Sequence, residues 1–263
     1  MCTLKTRNGR RGLRKVNKSS NDNELTIFSL NYPDANWDDF RNSGGYTRIK
    51  KLVFQEQFYL CAYCEIDLSD VGPHNQRIEH FNSKSSEDKN VNLHLDWWNI
   101  LGVCIGGTDG DSIVEFDLPA NLSCDSHKAR LERGKPCHWQ GKVLSPLFLS
   151  ATFSLFEFKK STGELVPNSK NCEETVFEHN YFTSTYELVQ ETIKTFNLNC
   201  DRLAKARSKL FYEYQRRLRI CRQTNNKAVL ESLVASWSGN PPRSFQTVRD
   251  SIVKEASIII NKL

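Results

Sequence analysis

Four cysteines constrain the fold of this chain more than any other sequence feature. Cys61 and Cys64 are separated by two residues, and Cys104 and Cys124 follow after long insertions. A two-residue spacing lets both thiolates point at one position, and four thiolates can close a tetrahedral zinc site. The sequence therefore predicts a structural Zn²⁺ that draws distant parts of the chain to one point.

The fourth zinc ligand stays open at this level. His127 lies three residues after Cys124, which is itself a ligand-like spacing, and Cys137 and His138 come soon afterwards. Any of these could replace Cys124. The other cysteines have no such neighbours and are expected to be ordinary small side chains: Cys2, Cys172, Cys200 and Cys221.

The bulk composition is that of a globular chain without a membrane segment. It has 263 residues, of which 38% are hydrophobic, and its nine cysteines are spread along the whole length. No apolar run approaches the ~20 residues of a membrane helix, and the first residues do not resemble a signal peptide. We therefore expect a cytoplasmic protein whose cysteines stay reduced, which favours a metal site over disulfides.

Basic residues are concentrated at the start of the chain. The net charge is +5, but residues 1–21 contain seven Lys and Arg and no acid. The rest of the chain is slightly acidic, so any nucleic-acid footprint there must be a local patch. The basic segment is either a solvated tail or an arm that grips phosphates.

Turn signals and apolar periodicity divide the chain into four predicted regions. Residues 1–23 form a flexible basic arm, 24–142 the zinc-bound core, 143–237 a β-hairpin with helices, and 238–263 a last helix. Three consecutive isoleucines in the last helix favour a partner or homodimer contact. A long helix from Asp201 carries basic residues on its outer faces, which are either solvated or in contact with a nucleic-acid backbone.

Local patterns also predict the elements between the cysteines. Residues 76–81 are typical of a short strand, and residues 113–116 of a second strand within an insertion. An apolar segment holds Asn99 beside the first strand. A helix that starts at Cys124 places His127 on a neighbouring face.

The residue types between the cysteines point to phosphodiester hydrolysis, which needs a base for water and a cation for the phosphate. His80 is the candidate base, because a neutral imidazole accepts a proton near pH 7. Glu79, Asn99 and His127 are the candidate ligands of the cation, and such a set suits Mg²⁺ or Mn²⁺. Alternatively, Asn99 orients the His80 ring. Glu79 and His80 would face opposite sides of a regular strand, so a shared site requires a local irregularity.

Several strings resemble the HNH nuclease motif and, more narrowly, the PtuB family of HNH nucleases. PtuB proteins belong to Septu antiphage systems and also occur beside retron reverse transcriptases. The resemblance implies an α+β fold: a ββα-metal (HNH, His-Me) finger with a structural zinc site of four cysteines, surrounded by helices and a small β-hairpin. The strings are Cys61-Ala-Tyr-Cys64-Glu65, Ile78-Glu-His-Phe81, Asn99-Ile-Leu-Gly-Val-Cys104, Cys124-Asp-Ser-His127-Lys128, Leu144-Ser-Pro-Leu147 and Phe196-Asn-Leu-Asn199.

The resemblance also implies partners and an activity. PtuB proteins work with PtuA, an ATPase of the ABC or SMC-like type, and in retrons with a reverse transcriptase and its RNA–DNA product. Two residues depart from the family pattern: Trp98 stands where an Asp is common, and Glu79 where many HNH enzymes have Asp. We predict a metal-dependent endonuclease that cleaves DNA or RNA. The alternative is a non-catalytic, zinc-stabilised adaptor that binds nucleic acid or the ATPase.

Overall fold

The structure is a computed structural model that describes residues 15–18, 21–84, 91–133, 135, 137–149, 154–239 and 241–262. Most of the basic N-terminal segment, including Cys2, lies outside these residues, so the expectations for it stay predictions. None of the described helices is long and apolar enough to span a membrane.

Helices dominate the described chain, and two small antiparallel sheets lie between them. The strands are β1 (Gln76–His80), β2 (Ile100–Cys104), β3 (Phe156–Phe158) and β4 (Leu165–Pro167). The helices are α1 (Glu24–Asn31), α2 (Trp37–Asn42), α3 (Tyr46–Glu56), α4 (Gly110–Glu115), α5 (Cys124–Glu132), α6 (Ser169–Glu173), α7 (Thr185–Thr195), α8 (Asp201–Thr224), α9 (Ala228–Trp237) and α10 (Gln246–Ile260).

The β1–β2 hairpin forms the centre of the first half of the chain. Its register pairs Gln76 with Cys104 and His80 with Ile100. The strand predicted over residues 76–81 is therefore confirmed, except that it ends at His80, one residue earlier than predicted. Strand β2 is buried along its whole length, because α3 and α5 both pack against it. The hairpin therefore sets where Cys104 and His80 lie.

One large hydrophobic core joins most of the molecule. It includes residues from the cysteine region, from the β3–β4 hairpin and from helices α7 to α10, and a smaller core lies under α1 to α3. The predicted regions 24–142, 143–237 and 238–263 all contribute to the large core. The boundaries between them stay predictions.

The strand expected over residues 113–116 is wrong, because these residues belong to helix α4 and its end. The side chain of Asp109 accepts a hydrogen bond from the backbone N–H of Ser112 at 2.8 Å, and such an N-cap starts a helix. Ile113 and Val114 are exposed. Their β-branched side chains have no sheet partner, so the cap decides the local structure.

Two basic residues of α8 point inward instead of outward. Arg207 is 1% exposed, and its guanidinium donates to the carbonyl of Gly163 at 2.8 Å and to that of Leu198. Arg202 donates to the hydroxyl of Ser123 at 2.7 Å. These two residues therefore anchor α8 to the rest of the protein.

Candidate metal centre and active site

The four predicted cysteines meet in one buried cluster. The sulfur of Cys61 lies 3.8 Å from that of Cys124, and the sulfur of Cys64 lies 3.8 Å from that of Cys104. All four sulfurs lie within 4.8 Å of one another. A tetrahedron with Zn–S bonds of about 2.3 Å has edges of about 3.8 Å. The cysteine cluster, as we call these four residues, therefore fits a zinc ion.

Cys124 is the fourth member of this cluster, and the alternatives make other contacts. It begins α5 with a φ of 52°, in the left-handed region. The Nδ1 atom of His127 lies 2.8 Å from the carbonyl oxygen of Thr195. The backbone of Cys137 bonds to the hydroxyl of Ser83. The three-residue spacing of Cys124 and His127 thus does not make them joint ligands.

Residues after Cys64 explain how the first two cysteines are held. Glu65 has a φ of 61°, and its N–H donates to the carbonyl of Cys61 at 3.0 Å, which closes a tight turn. The buried carboxylate of Glu65 accepts hydrogen bonds from the N–H and hydroxyl of Thr247 at 3.0 and 2.6 Å. The turn is therefore fastened to the first residues of α10, far away in the sequence.

Beside the cysteine cluster, β1 and α5 bring four charged side chains together. Arg77 lies 3.1 Å from Asp125, and the ammonium of Lys128 lies 2.5 Å from the Glu79 carboxylate. Lys128 also donates to the carbonyl of His80 at 3.1 Å and lies 3.3 Å from Glu132. We call Arg77, Glu79, Asp125 and Lys128 the charged cluster.

Burial and neighbouring charges change the acidity of this cluster. Burial raises the pKa of Glu79, and the charge of Asp125 raises it further, whereas Lys128 opposes both. Burial lowers the pKa of Lys128, but Glu79 and Glu132 outweigh this, so its pKa is raised. Lys128 is only 3% exposed. It is therefore a buried cation that compensates two carboxylates.

His80 faces the opposite side of β1, against Trp37. The ring centroids are 4.6 Å apart at an interplanar angle of 88°. The Nε2 atom of His80 lies 3.0 Å from the carbonyl oxygen of His94. Because a carbonyl only accepts, Nε2 carries the proton in this bond, which leaves a lone pair on Nδ1 of the neutral ring. Burial lowers the pKa of His80 to about 3, so the ring is neutral at pH 7.

The expected irregularity of β1 is absent. Glu79 pairs with Leu101 and His80 with Ile100 in regular register. Glu79 contacts α5 and His80 contacts α2, as alternation along a strand requires. In this conformation, the two side chains do not point at one position.

Asn99 takes a different role from those expected of it. Its side-chain oxygen accepts from the N–H of Asn82 at 2.8 Å. Its amide nitrogen donates to the carbonyls of Asn82 and Leu93, each at 3.0 Å. The side chain therefore clamps the two ends of the segment between the strands, and these bonds explain why it neither orients the His80 ring nor offers its oxygen to a cation here.

Two functional candidates are residues for which the spacing argument assigned no role. Lys128, rather than His127, is the α5 side chain that reaches Glu79. Asp125, three residues before Lys128, lies on the same side of the helix. The available signal was this three-residue spacing directly after a cysteine of the predicted zinc site.

Two cavities lie near the two ends of the β1–β2 hairpin. A cavity of about 450 Å³ lies next to Asn82 and Asn99. A second, of about 640 Å³, is lined among others by Arg77, Cys104 and Arg202. The second cavity thus lies between the charged cluster, the cysteine cluster and the start of α8.

Comparison with known proteins identifies the family. No protein-family model matches the chain. A protein of Escherichia coli named "Retron Ec83 putative HNH endonuclease" is 40% identical over 254 residues, which cover 94% of this chain and 96% of that protein. The match therefore includes both clusters and the helices around them. The chain belongs to the family of retron HNH endonucleases.

Proposed function

We propose that this HNH endonuclease hydrolyses phosphodiester bonds with His80 as the general base and with zinc in the cysteine cluster. One observation carries the proposal: the Nε2 proton is donated to the carbonyl of His94, so that Nδ1 carries the lone pair that can take a proton from water. The low pKa of His80 keeps the ring neutral. Zinc with four cysteine ligands leaves no position for substrate and has a structural role.

Glu79 and Asp125 are the residues that we propose to hold a catalytic Mg²⁺ or Mn²⁺, in place of the set Glu79, Asn99 and His127. Both are carboxylates, the ligands that such ions prefer. Glu79 projects from β1 towards Lys128 of α5, and Asp125 projects from α5 towards Arg77 of β1. The ion, when bound, would neutralise the scissile phosphate and the leaving oxygen. Lys128 compensates Glu79 in the conformation described here.

Glu79 and His80 contact opposite faces of β1, so a joint action requires a change at the end of this strand. Catalytic contacts often tighten only when substrate is bound. We expect substrate binding to turn the His80 end of β1 out of regular register. The ββα-metal arrangement is the form that this change would produce.

The proposed biological setting is a defence complex. The similarity to a retron protein supports a reverse transcriptase and its RNA–DNA product as partners, and the PtuB-like strings support a PtuA-type ATPase. DNA is the favoured target, with RNA or transfer RNA as the second choice. Ile258 on α10 is 50% exposed, which is compatible with a homodimer contact.

Metal-dependent cleavage by the wild type and by His80→Ala tests the proposed function. We expect the wild type to cut plasmid DNA or RNA with added Mg²⁺ or Mn²⁺ and to stop after chelation. His80→Ala should lower the rate by about 10²–10⁴-fold, whereas His179→Ala, which changes an exposed histidine, should not. Unchanged cleavage by His80→Ala would show that the base is another group. Binding of nucleic acid without any metal-dependent cleavage would favour the adaptor alternative.

A further inference from the structure

One face of α8 is exposed and almost uniformly basic. Its residues are Lys205, Lys209, Tyr212, Arg216 and Arg219. Their spacing of three or four residues places them in one row along the helix. All five are exposed, and Tyr212, in the middle of the row, is 66% exposed. We call this row the α8 stripe.

The α8 stripe is not needed to hold the helix in place. The opposite face, with Leu203, Tyr214 and Leu218, is buried in the large core. Glu213 bonds to Arg216 at 2.9 Å and to Arg217 at 2.7 Å.

Three cations of the stripe are left without an acidic partner. Among the described residues, no carboxylate lies within 4 Å of Lys205, Lys209 or Arg219. A row of uncompensated cations with an aromatic side chain between them is complementary to a polyanion that carries stackable rings.

The stripe also leads towards the candidate active site. At its first residue, the Lys205 ammonium lies 4.7 Å from the centre of the Phe116 ring. One turn earlier, Arg202 lines the 640 Å³ cavity together with Arg77, and Arg77 contacts Asp125 of the charged cluster. The basic row thus ends at a cavity that is lined by Arg77, the ion-pair partner of the proposed metal ligand Asp125.

The length of the stripe suits a nucleic-acid strand. From Lys205 to Arg219 the helix rises about 21 Å. One strand of a duplex carries a phosphate about every 3.4 Å of axis, so this distance covers about six phosphates of a stacked strand and fewer of an unstacked one.

We infer that the α8 stripe binds the phosphate backbone of a single-stranded segment of the substrate and leads it to the 640 Å³ cavity, with Tyr212 stacked on an unpaired base. The inference rests on the proposed function, because it assumes that cleavage occurs at the charged cluster. An acidic protein surface would also match the cations, and tyrosine occurs at protein interfaces as well. We favour nucleic acid because a single strand has phosphates that match the row of cations and bases that can stack on the ring between them.

The salt dependence of binding tests the backbone contact. The triple variant Lys205→Gln, Lys209→Gln, Arg219→Gln is compared with Lys170→Gln, Lys227→Gln, Lys254→Gln, which removes the same charge from exposed residues elsewhere. Fluorescently labelled single-stranded DNA, single-stranded RNA and duplex DNA are titrated at several salt concentrations without added divalent ion. For single strands, the slope of log K against log salt should become shallower by about two in the stripe variant. The control should keep the wild-type slope, and equal slopes in all three proteins would overturn the inference.

Tyr212 tests the single-stranded part of the inference. Tyr212→Ala should weaken binding of single strands by about tenfold and leave duplex binding unchanged, whereas Tyr212→Phe should bind like the wild type. If Tyr212→Ala lost equal affinity for single strands and for duplex DNA, the proposed stacking of Tyr212 on an unpaired base would be wrong. If the triple variant binds nucleic acid normally but no longer co-purifies with an acidic protein partner, the stripe is a protein interface and the inference is wrong. These readouts measure binding, so they stand apart from the loss of cleavage expected for His80→Ala.

Discussion

The cysteine cluster and the charged cluster both include residues of α5, but they differ in which groups balance their charged side chains. Cys124 belongs to the first and Asp125, the next residue, to the second. The four cysteines supply every ligand that a tetrahedral zinc needs. In the charged cluster, by contrast, the carboxylates are compensated by the side chains of Lys128 and Arg77.

This difference is the one expected between a site that holds the fold and the site at which we propose that chemistry occurs. A closed tetrahedral site has no free position, so its value lies in joining distant segments. Carboxylates that are balanced by side chains, and not by a bound ion, can in principle exchange those partners for a metal ion. Two predictions test this contrast directly, and two more test the contacts of Asn99 and His80 beside the clusters.

The largest effect is expected from Cys64→Ser, which should release the metal from the cysteine cluster. Structural zinc contributes about 10–16 kcal/mol in small zinc domains, and we expect the free energy of unfolding to fall by at least about 5 kcal/mol. Metal analysis should find about one zinc per wild-type chain and much less in the variant. Cys200→Ser, which changes a buried cysteine outside the cluster, should keep its zinc. Full stability without zinc would show that the cluster has no structural role.

In the charged cluster, Lys128→Met should destabilise the protein while leaving its zinc bound. The substitution leaves the Glu79 carboxylate buried without its nearest cation, which costs about 3–5 kcal/mol. Chemical denaturation measures the loss, and Arg130→Met on the exposed side of the same helix should change stability by no more than about 0.5 kcal/mol. Adding Glu79→Gln to Lys128→Met should recover part of the loss. Equal stability of Lys128→Met and Arg130→Met would contradict the pairing.

A smaller effect is expected from Asn99→Asp, which acts on the clamp between the strands. The carboxylate cannot donate to the carbonyls of Asn82 and Leu93, so two buried acceptors lose their partner. We expect a loss of about 2–4 kcal/mol, measured by thermal or chemical unfolding, with zinc content unchanged. A change below about 0.5 kcal/mol would mean that the clamp contributes little.

The smallest effect, about 2 kcal/mol between pH 7 and pH 5, concerns His80 on the side of β1 that faces away from the charged cluster. The pKa of His80 is about 3 in the folded protein and about 6.5 in an unfolded chain. Between these values the unfolded chain binds more protons, so stability falls as the pH falls from about 6.5 towards 3, by up to about 1.4 kcal/mol per pH unit. Above about pH 6.5 this contribution is constant.

The difference between wild type and His80→Gln isolates this contribution, since other titrating groups are common to both proteins. Denaturation at pH 7, 6 and 5 without added divalent ion should show a wild-type stability that declines more steeply with falling pH. Parallel curves would indicate that His80 is accessible to water in the folded protein.

Much of the molecule follows from patterns that are local in sequence. The strand that ends at His80, the helix that starts at Cys124 and the long helix from Asp201 are all confirmed. In the long helix the apolar spacing matches the helical period, with Leu203, Tyr214 and Leu218 buried on one face. The strand predicted over residues 113–116 is wrong, because the β-branched residues there favour a strand whereas Asp109 caps a helix. A single capping bond outweighed the propensity of two residues that have nothing to pack against.

The contacts of the site are harder to read from sequence. His127 is close to Cys124 along the chain, yet the turn of α5 directs its ring to Thr195 and brings Lys128 to Glu79. Likewise, the side chain of Asn99 forms hydrogen bonds to the backbone of Asn82 and Leu93. Residue type indicated the chemistry, but each side chain's direction depends on which element packs beside it.

The sequence by itself determined the four thiolates, the neutral histidine and the HNH-like strings, because these depend only on residue type and spacing. Tertiary structure alone decided that Cys124 joins the cluster, that Glu65 is fastened to Thr247 of α10, and that Glu79 faces a lysine. The physical reason is that the metal-binding ability of a thiolate and the basicity of an imidazole are properties of the residue type. By contrast, a side chain becomes buried, and a carboxylate gains a compensating charge, only when distant segments meet on folding.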